Sequence, residues 1–279
     1  MTRTALVTGA SRGIGKATAV ALARAGLDVA VTARTLREGQ GVDLSDTGAG
    51  RALPGSLETT VSEIEVEGRR GLAVVADLHD HESLRRGVGR VLDEWGRIDV
   101  LVNDAVDTGP GSMVRFADLT VDQLERKLLA NVVAQAVVIQ AALPAMRASG
   151  GGVVVDVSSH VATADPLSPV GSGGWGLAYA ASKAAFHRFA PILAVELGEE
   201  GIRVYNVDPG YVETERQVVN AAALGLEGRY PGAPPSVPAA VISWLATSPE
   251  AAATVANGST VVAQRVALDL GLHPDWRPR

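Results

Sequence analysis

The stretch RTALVTGASRGIG, residues 3–15, decides which fold the chain can adopt. It begins with a short run of β-forming side chains, residues 3–8, and leads into an apolar helical pattern over residues 14–25. The turn between them contains Gly9, Gly13 and Gly15. A strand that enters a helix through a glycine-rich turn leaves backbone N–H groups free at the positive end of the helix dipole, where a phosphate can bind. We therefore interpret the turn as a cofactor-binding loop, with a purely structural turn as the alternative.

The alternation of strand and helix continues along the chain. Further β-type runs cover residues 27–32, 71–76, 98–102, 152–157 and 201–207, with a last strand near 259–263. Helical patterns cover residues 56–68, 81–95, 120–148, 178–200 and 237–247. Because such alternation needs crossover connections, the sequence predicts a single-domain α/β fold with a doubly wound parallel sheet of about seven strands and helices on both faces. Sheets of this kind bind ligands at the carboxyl ends of their strands.

Composition excludes several classes of protein. The 279 residues are 47% hydrophobic and 20% charged, with a formal net charge of −6 and no basic run, which argues against nucleic-acid binding. The absence of cysteine excludes disulfides and thiol chemistry. The longest apolar stretch, residues 132–146, is too short to span a bilayer, and glycines interrupt the N-terminus before a signal-peptide core forms. We expect a cytoplasmic protein that does not associate with membranes.

A tyrosine and a lysine stand four residues apart in LAYAASKAAFHRF, residues 177–189. If this segment is helical, Tyr179 and Lys183 lie on one face, one turn apart. A neighbouring cation lowers the pKa of a phenol from its usual value near 10, so the pair could form a proton donor that works near neutral pH. Taken alone, the spacing also fits a surface helix that carries both residues by chance.

Two arginines point to the type of cofactor. Arg34 follows the second strand, where an acidic residue would suit the ribose of NAD and an arginine suits the 2′-phosphate of NADP. Arg12 lies inside the glycine turn, and arginine binds phosphate in bidentate fashion. The sequence therefore predicts NADP(H) in preference to NAD(H). The alternative is that both arginines are solvated surface residues.

Other polar residues have two interpretations each. Asp77 could accept a hydrogen bond from an adenine amino group, or it could cap the helix that follows. Asn131 interrupts an apolar helical stretch, so it either satisfies a local backbone group or serves a site. The pair His79 and His81 fits a polar helix start better than a metal site, because no third ligand is clustered with them, and no metal is expected.

Three segments look irregular. Residues 35–55 are polar, glycine-rich and long for a loop, so this insertion either covers the adenine end of a cofactor or is a mobile surface segment. Residues 211–238 end in a proline-rich run, and we predict that they form a mobile cover over the substrate. Residues 264–279 form a C-terminal extension, whose tail from Asp269 is predicted to lie on the surface.

Together these motifs resemble the short-chain dehydrogenase/reductase family over nearly the whole chain, which implies a Rossmann-like fold. The family's TGxxxGxG stands at residues 8–15 and its YxxxK at residues 179–183. The family's serine, helix asparagine and Pro-Gly motif match Ser159, Asn131 and Pro209-Gly210, with Thr214 beyond. The family's NNAG is replaced by Asn103-Asp104-Ala105-Val106, and the separation of serine and tyrosine is unusually long. Ser158 therefore stays a second candidate for the serine.

The resemblance also implies roles for individual residues. Ser159 would bind the substrate oxygen, Tyr179 would exchange a proton with it, Lys183 would lower the tyrosine pKa and bind the nicotinamide ribose, and Asn131 would hold a water. The implied cofactor contacts are Gly9, Ser11, Arg12, Gly13, Ile14, Gly15, Arg34, Asp77, Leu78, Asn103, Ala105, Tyr179, Lys183, Pro209, Gly210, Val212 and Thr214.

The implied function is hydride transfer between NADP(H) and a small carbonyl or alcohol substrate. The alternatives are a catalytically impaired NAD(P)-binding regulator, for which Asp104 and Val106 are the best support, and a non-redox reaction such as epimerisation or dehydration. The substrate itself is not readable, although residues 160–176 suggest an apolar pocket wall. The apolar surface expected on helices 120–148 and 178–200 favours a homodimer or homotetramer.

Overall fold

A computed structural model of the chain describes residues 2–48, 50–224, 228 and 231–278. Its strands are β1 (Thr4–Thr8), β2 (Asp28–Ala33), β3 (Val42–Asp43), β4 (Arg51–Ala52), β5 (Gly71–Val75), β6 (Val100–Asn103), β7 (Gly152–Val157), β8 (Ile202–Asp208) and β9 (Thr260–Val262). Seven of them form one parallel sheet in the order β5-β2-β1-β6-β7-β8-β9, while β3 and β4 pair antiparallel outside it. The predicted doubly wound parallel sheet is confirmed.

Helices cover both faces of the sheet. They are α1 (Gly13–Arg24), α2 (Leu57–Val66), α3 (His81–Trp95), α4 (Val121–Leu128), α5 (Ala134–Ala148), α6 (Leu177–His187), α7 (Phe189–Leu197), α8 (Glu215–Leu224), α9 (Ser236–Thr247), α10 (Pro249–Thr254) and α11 (Ala263–Asp269). Side chains of α1, α2, α9 and α11 form one core with the sheet, and those of α3, α5 and α7 form the other. Every residue of β1 and β6 is buried, as expected for strands covered on both faces.

The first side chains of α2 and α3 explain where these helices begin. The Ser56 hydroxyl accepts from the Thr59 N–H at 3.0 Å and caps α2. Asp80 caps α3 by accepting from the Ser83 N–H at 2.9 Å. Asp77 is therefore not the helix cap that the sequence allowed.

The predicted helix over residues 120–148 is continuous, but it contains a π-helical turn at Leu129–Val133 between α4 and α5. By length and composition it could cross a membrane. It packs instead against α3 and the sheet, with Val138, Ala142 and Met146 in the core. It is therefore a core helix of the fold.

Two segments that were expected to be irregular contain helices, and one predicted helix is divided. The cover segment contains α8, although residues 225–227 and 229–230 lie outside the described residues. The C-terminal extension begins with α11, which packs on α9, and its tail places Leu272 and Trp276 against the core. The predicted helix over 178–200 divides into α6, α7 and a 3₁₀ turn at Gly198–Glu200.

Candidate active site

A cavity of about 420 Å³ opens at the carboxyl ends of the strands, beside the switch in strand order between β1 and β6. The sequence-predicted residues that line it are Gly9, Ser11, Arg12, Gly13, Ile14, Arg34, Asp77, Leu78, Ala105 and Thr214. The insertion also lines the cavity, through Thr35, Gln40, Val42 and Leu44, and so does His79. Two lining residues that the sequence did not single out are Asp107 and Arg216. The glycine turn, the end of β2 and the end of β6 therefore share one cavity.

The glycine turn needs its glycines for both conformation and space. Gly9 has φ of +72°, and a Cβ there would lie 2.8 Å from the backbone of Ala105. The Gly13 N–H, at the start of α1, donates to the Glu215 carboxylate at 2.8 Å. An anionic group is thus already bound at this helix start, which agrees with the predicted preference for phosphate.

The two arginines of the cavity do different things. The Arg12 guanidinium donates to the carbonyl oxygens of Pro54 at 2.9 Å and Gly55 at 3.0 Å, so it holds the insertion in place. Burial, followed by the nearby Arg216, lowers the pKa of Arg12. Arg34 is exposed at the cavity and makes no hydrogen bond or ion pair within the described part of the chain. The predicted convergence of Arg12 and Arg34 as two free guanidinium groups is therefore not seen.

The insertion is an ordered part of the site over its described residues. Asp43 of β3 is fully buried and lies 3.4 Å from the Arg216 Nε of α8, and it accepts from Asn220 at 2.9 Å. Asp46 accepts from the backbone N–H groups of Gly111 at 2.9 Å and Met113 at 2.7 Å. These contacts stretch the insertion across the cavity, from the segment after β6 to the cover helix α8.

The Tyr179 and Lys183 side chains both come from α6, as the spacing predicted. The Lys183 ammonium is buried and donates to the Val157 carbonyl at 2.7 Å. Burial lowers the Lys183 pKa to about 8. Burial raises the pKa of the Tyr179 phenol above its ordinary value, although the neighbouring Ser159 side chain acts in the opposite direction. This direction is opposite to the lowering that the sequence predicted, because desolvation of the phenolate outweighs the effect of Ser159.

The structure distinguishes the two serines at the end of β7. Ser158 is buried, with its hydroxyl 2.8 Å from His187 Nδ1, and His187 Nε2 lies 3.2 Å from the Thr260 hydroxyl. Ser158 is therefore engaged between β7, α6 and β9. Ser159 is the serine that reaches Tyr179.

The Asn131 side chain lies in the π-helical turn and is satisfied by local groups. Its Oδ1 accepts from the Asp107 N–H at 2.7 Å, and its Nδ2 donates to the Ser182 hydroxyl at 3.1 Å. The Ser182 hydroxyl in turn donates to the Tyr179 carbonyl at 2.8 Å. Asn131 thus connects the segment after β6 to the helix that carries the tyrosine. Such π turns are frequent at functional sites.

A buried lysine that the sequence did not single out holds the same segment. The Lys127 ammonium is fully buried and donates to the Asp107 carboxylate at 2.9 Å and to the Gly109 carbonyl at 2.9 Å. Lys127 lowers the Asp107 pKa against the opposing effect of burial. His79 lies 3.8 Å from the same carboxylate. Its own helix, VDQLERKL, is polar, so no pattern in the sequence marked Lys127.

Two carboxyl groups face Lys183, the fully buried Asp156 and the partly buried Asp104. The Asp104 carboxyl packs on Gly15, and desolvation raises its pKa to about 7. Asp156 accepts from the Asn103 amide at 2.8 Å, and burial raises its pKa to about 7 as well. Lys183 lowers the pKa of both carboxyl groups, against the effect of desolvation. Asp104, Asp156 and Lys183 therefore form one electrostatic cluster at the ends of β6 and β7.

The remaining predicted contacts lie behind or beside the cavity. Gly15 packs on Asp104, and Asn103 is buried against Asp156. The Pro209 carbonyl accepts from Gln264 at 3.1 Å, Gly210 has φ of +68°, and Val212 is buried and bridges to Ala233. Their backbone positions shape the loop that leads to Thr214, which lines the cavity.

Comparison with known proteins agrees with this geometry. The short chain dehydrogenase family model matches residues 3–223. An L-rhamnose 1-dehydrogenase (NAD(P)(+)) of Sphingomonas sp. strain SKA58 is 34% identical over 76% of this chain and 74% of its own length.

Solved structures resemble the whole chain. A short chain dehydrogenase of Mycobacterium paratuberculosis bound to NAD has a TM-score of 0.74 and 28% identity, covering 94% of this chain and 96% of its own. A 3-oxoacyl (acyl-carrier-protein) reductase of Agrobacterium tumefaciens C58 with NADP bound has a TM-score of 0.74 and 26% identity, covering 93% of this chain and 92% of its own. With the fold, the glycine turn and the family match in agreement, the chain belongs to the short-chain dehydrogenase family of oxidoreductases.

Proposed function

We propose that this protein is an NADP(H)-dependent oxidoreductase that interconverts an alcohol and a carbonyl group, with Tyr179 as the general acid and base. The observation that carries the proposal is the proximity of Ser159 and Tyr179, with Lys183 buried on the same helix as Tyr179 and the cavity of the glycine turn nearby. This places a proton donor and a hydrogen-bond donor for a carbonyl oxygen near a phosphate-binding helix start.

The cavity fits a nicotinamide dinucleotide. The start of α1 already holds a carboxylate, and Arg34 offers a guanidinium at the end of β2. Asp77 lines the cavity at the end of β5, where it would receive the adenine amino group. When bound, the dinucleotide supplies or accepts the hydride.

The side chains perform the proton chemistry. Ser159 holds the substrate oxygen, and Tyr179 donates a proton to it in the reductive direction. Lys183 is a cation on the same helix as Tyr179, one turn away. A cation in this position favours the phenolate form of Tyr179. Asn131 connects the segment after β6 to α6 through hydrogen bonds. These bonds hold Tyr179 in position relative to the cavity.

Preference for NADP(H) rests on Arg34. Relatives bind NAD in one structure and NADP in another, so the cofactor type follows from this chain's own residues. Arg34→Ala should weaken NADPH binding about tenfold or more and NADH binding little, since only NADPH has the 2′-phosphate. Arg37→Ala is the matched control, because its side chain is 69% exposed and pairs with Glu58. Equal losses for both dinucleotides would remove Arg34 from the 2′-phosphate site.

The substrate class is a small alcohol or carbonyl compound. We would measure oxidation of sugars and cyclic alcohols with NADP⁺ and NAD⁺, and reduction of ketones, aldehydes and acyl thioesters with the reduced dinucleotides. Turnover with any member supports an oxidoreductase. Tight dinucleotide binding with no turnover across the panel would favour the regulator interpretation instead.

We propose that the protein works in the cytoplasm as a homodimer or homotetramer. Four large apolar side chains are exposed on the π-helical turn and α7, namely Leu129, Val133, Ile192 and Val195. A patch of this kind is typical of a self-association surface.

A further inference from the structure

Asp104 lies between the glycine turn, the cavity and Lys183. A Cβ at position 15 would lie 2.7 Å from Asp104 Oδ2, so the carboxyl group packs directly on the first turn of α1. It accepts from the Gly15 N–H, and the Asp104 N–H donates to the Thr8 hydroxyl at 3.1 Å. The residue also lines the cavity. Its position is therefore fixed from β1, α1 and β6 together.

The charges around Asp104 come from several elements. Lys183 of α6 is the cation that faces it, and Lys183 also faces Asp156 of β7. Tyr179 of α6 feels the Asp104 charge as well. On the glycine turn, Arg12 is committed to carbonyl groups of the insertion.

The segment after β6, which carries Asp104, adds no free cation to the cluster of Asp104, Asp156 and Lys183. Asp107 follows Asp104 closely, and its carboxylate is bound by Lys127 at 2.9 Å. One ammonium group, Lys183, therefore serves two carboxyl groups, Asp104 and Asp156. An ionised Asp104 is only partly compensated, and burial raises its pKa to about 7.

A bound dinucleotide brings a diphosphate, with two further negative charges, to the glycine turn behind which Asp104 lies. An ionised carboxylate at this position would repel it in a site of low dielectric constant. A protonated carboxyl group keeps an acceptor oxygen for the Gly15 N–H and removes the repulsion. A protonated Asp104 is neutral, as is the asparagine that the family's NNAG motif has at this position.

We propose that Asp104 takes up a proton from solvent when a dinucleotide binds, so that cofactor affinity decreases as the pH rises above neutrality. This inference rests on the proposed function, because it assumes that the cavity binds a dinucleotide. It assigns to Asp104 the role of a positioning residue that couples cofactor binding to pH. The sign follows from linkage, since a ligand that binds the protonated form better raises the pKa of the group and binds less tightly at high pH.

The test is calorimetry with NADH, whose diphosphate does not titrate near neutrality. Binding to the wild-type protein at pH 7 is measured in PIPES and in Tris, which differ in ionisation enthalpy, and the difference gives the protons taken up. We expect about half a proton per NADH at pH 7 and an affinity that decreases by up to tenfold per pH unit above it. NADPH is a second probe above pH 7, because its 2′-phosphate titrates near pH 6.

Two isosteric variants complete the test. Asp104→Asn should bind NADH without proton uptake and with an affinity constant within about twofold from pH 6 to 8.5, and it should bind more tightly than the wild type at pH 8. Asp156→Asn removes the other carboxyl beside Lys183 and should keep the uptake.

Three outcomes would overturn the proposal. They are wild-type binding without proton uptake, an uptake that persists in Asp104→Asn, and an uptake that disappears in Asp156→Asn alone. Binding of neither NADH nor NADPH at any pH would overturn the proposed function too, which separates the two failures.

Discussion

At the scale of single residues, the buried carboxyl of Asp156 makes folding depend on pH. Its Oδ1 accepts from Asn103, while its Oδ2 and the Asn103 Oδ1 have no partner within the described part of the chain. Burial raises the Asp156 pKa to about 7. Between the ordinary value of 3.8 and this value the folded protein binds more protons than the unfolded chain. Stability therefore decreases as the pH rises through this interval.

Asp156→Asn should remove this effect. Between pH 5 and pH 8 the free energy of unfolding of the variant should decrease by about 2 kcal/mol less than that of the wild type. Urea denaturation at the two pH values measures the difference. Asp118→Asn, at an exposed position, is the control and should follow the wild type. Parallel pH dependence in wild type and Asp156→Asn would show that the Asp156 carboxyl is ionised in the folded protein.

The sequence could identify residues whose chemistry is local. Tyr179 and Lys183 share a helix, and the glycines of the turn follow a strand. The spacing of these residues in the sequence was therefore enough to identify them. Lys127 and Arg216 could not be found in this way, because their partners Asp107 and Asp43 are distant in sequence. The direction of the Tyr179 pKa shift also needed the structure, since burial decides it.

At the scale of elements, the insertion acts as a strap over the cavity. Two carboxylates near its middle hold it, because Asp43 contacts Asn220 of α8 and Asp46 contacts the segment after β6. Asp43 and Asn220 are 177 residues apart, so this contact joins two segments that the sequence treated separately. Neither strand of the insertion is longer than two residues, and the glycine-rich composition around them hid the hairpin.

Asp43→Ala should loosen the strap and leave the sheet intact. Removing a fully buried carboxylate leaves Arg216 and Asn220 without their acceptor, at a local cost of about 1–3 kcal/mol. Hydrogen exchange of residues 40–52 and 215–224 should become faster, while exchange of β1 and β6 stays slow. Asp93→Ala, on the exposed face of α3, should change neither. Unchanged exchange in the insertion would mean that Asp43 does not hold it.

The cover helix α8 shows why element prediction failed between Pro209 and the proline-rich run. Its ten residues, ERQVVNAAAL, mix charged and amide side chains with small apolar ones. Its position is set by contacts with other elements, including Glu215 on the Gly13 N–H and Asn220 on Asp43. Tertiary contacts of this kind are invisible to a pattern of hydrophobicity.

At the scale of the whole molecule, the fold was predictable because most strands of the parallel sheet are rich in apolar β-forming residues and alternate with helices. Its exposed apolar patch leads to a prediction about assembly. Val195 on α7 is 84% exposed, and Val66 on α2 is 85% exposed on the other face of the sheet. Val195→Glu should dissociate the oligomer in light scattering, because burying a charge in an apolar interface is costly. Val66→Glu should leave the mass unchanged, and equal behaviour of the two variants would place the interface elsewhere.

The central claim is that Tyr179 transfers the proton that accompanies hydride transfer. Its most direct test is a single-turnover measurement of dinucleotide oxidation, with the best substrate of the panel, in Tyr179→Phe. We expect the rate to decrease by about a hundredfold or more with cofactor binding retained, since general acid catalysis contributes about 10²–10⁴ in rate.

Tyr205→Phe is the matched control for that measurement. Tyr205 is fully buried in β8 and its hydroxyl has no hydrogen-bond partner among the described residues, so its removal should cost no activity. A wild-type rate in Tyr179→Phe would contradict the account, because the phenol would then have no part in the proton transfer.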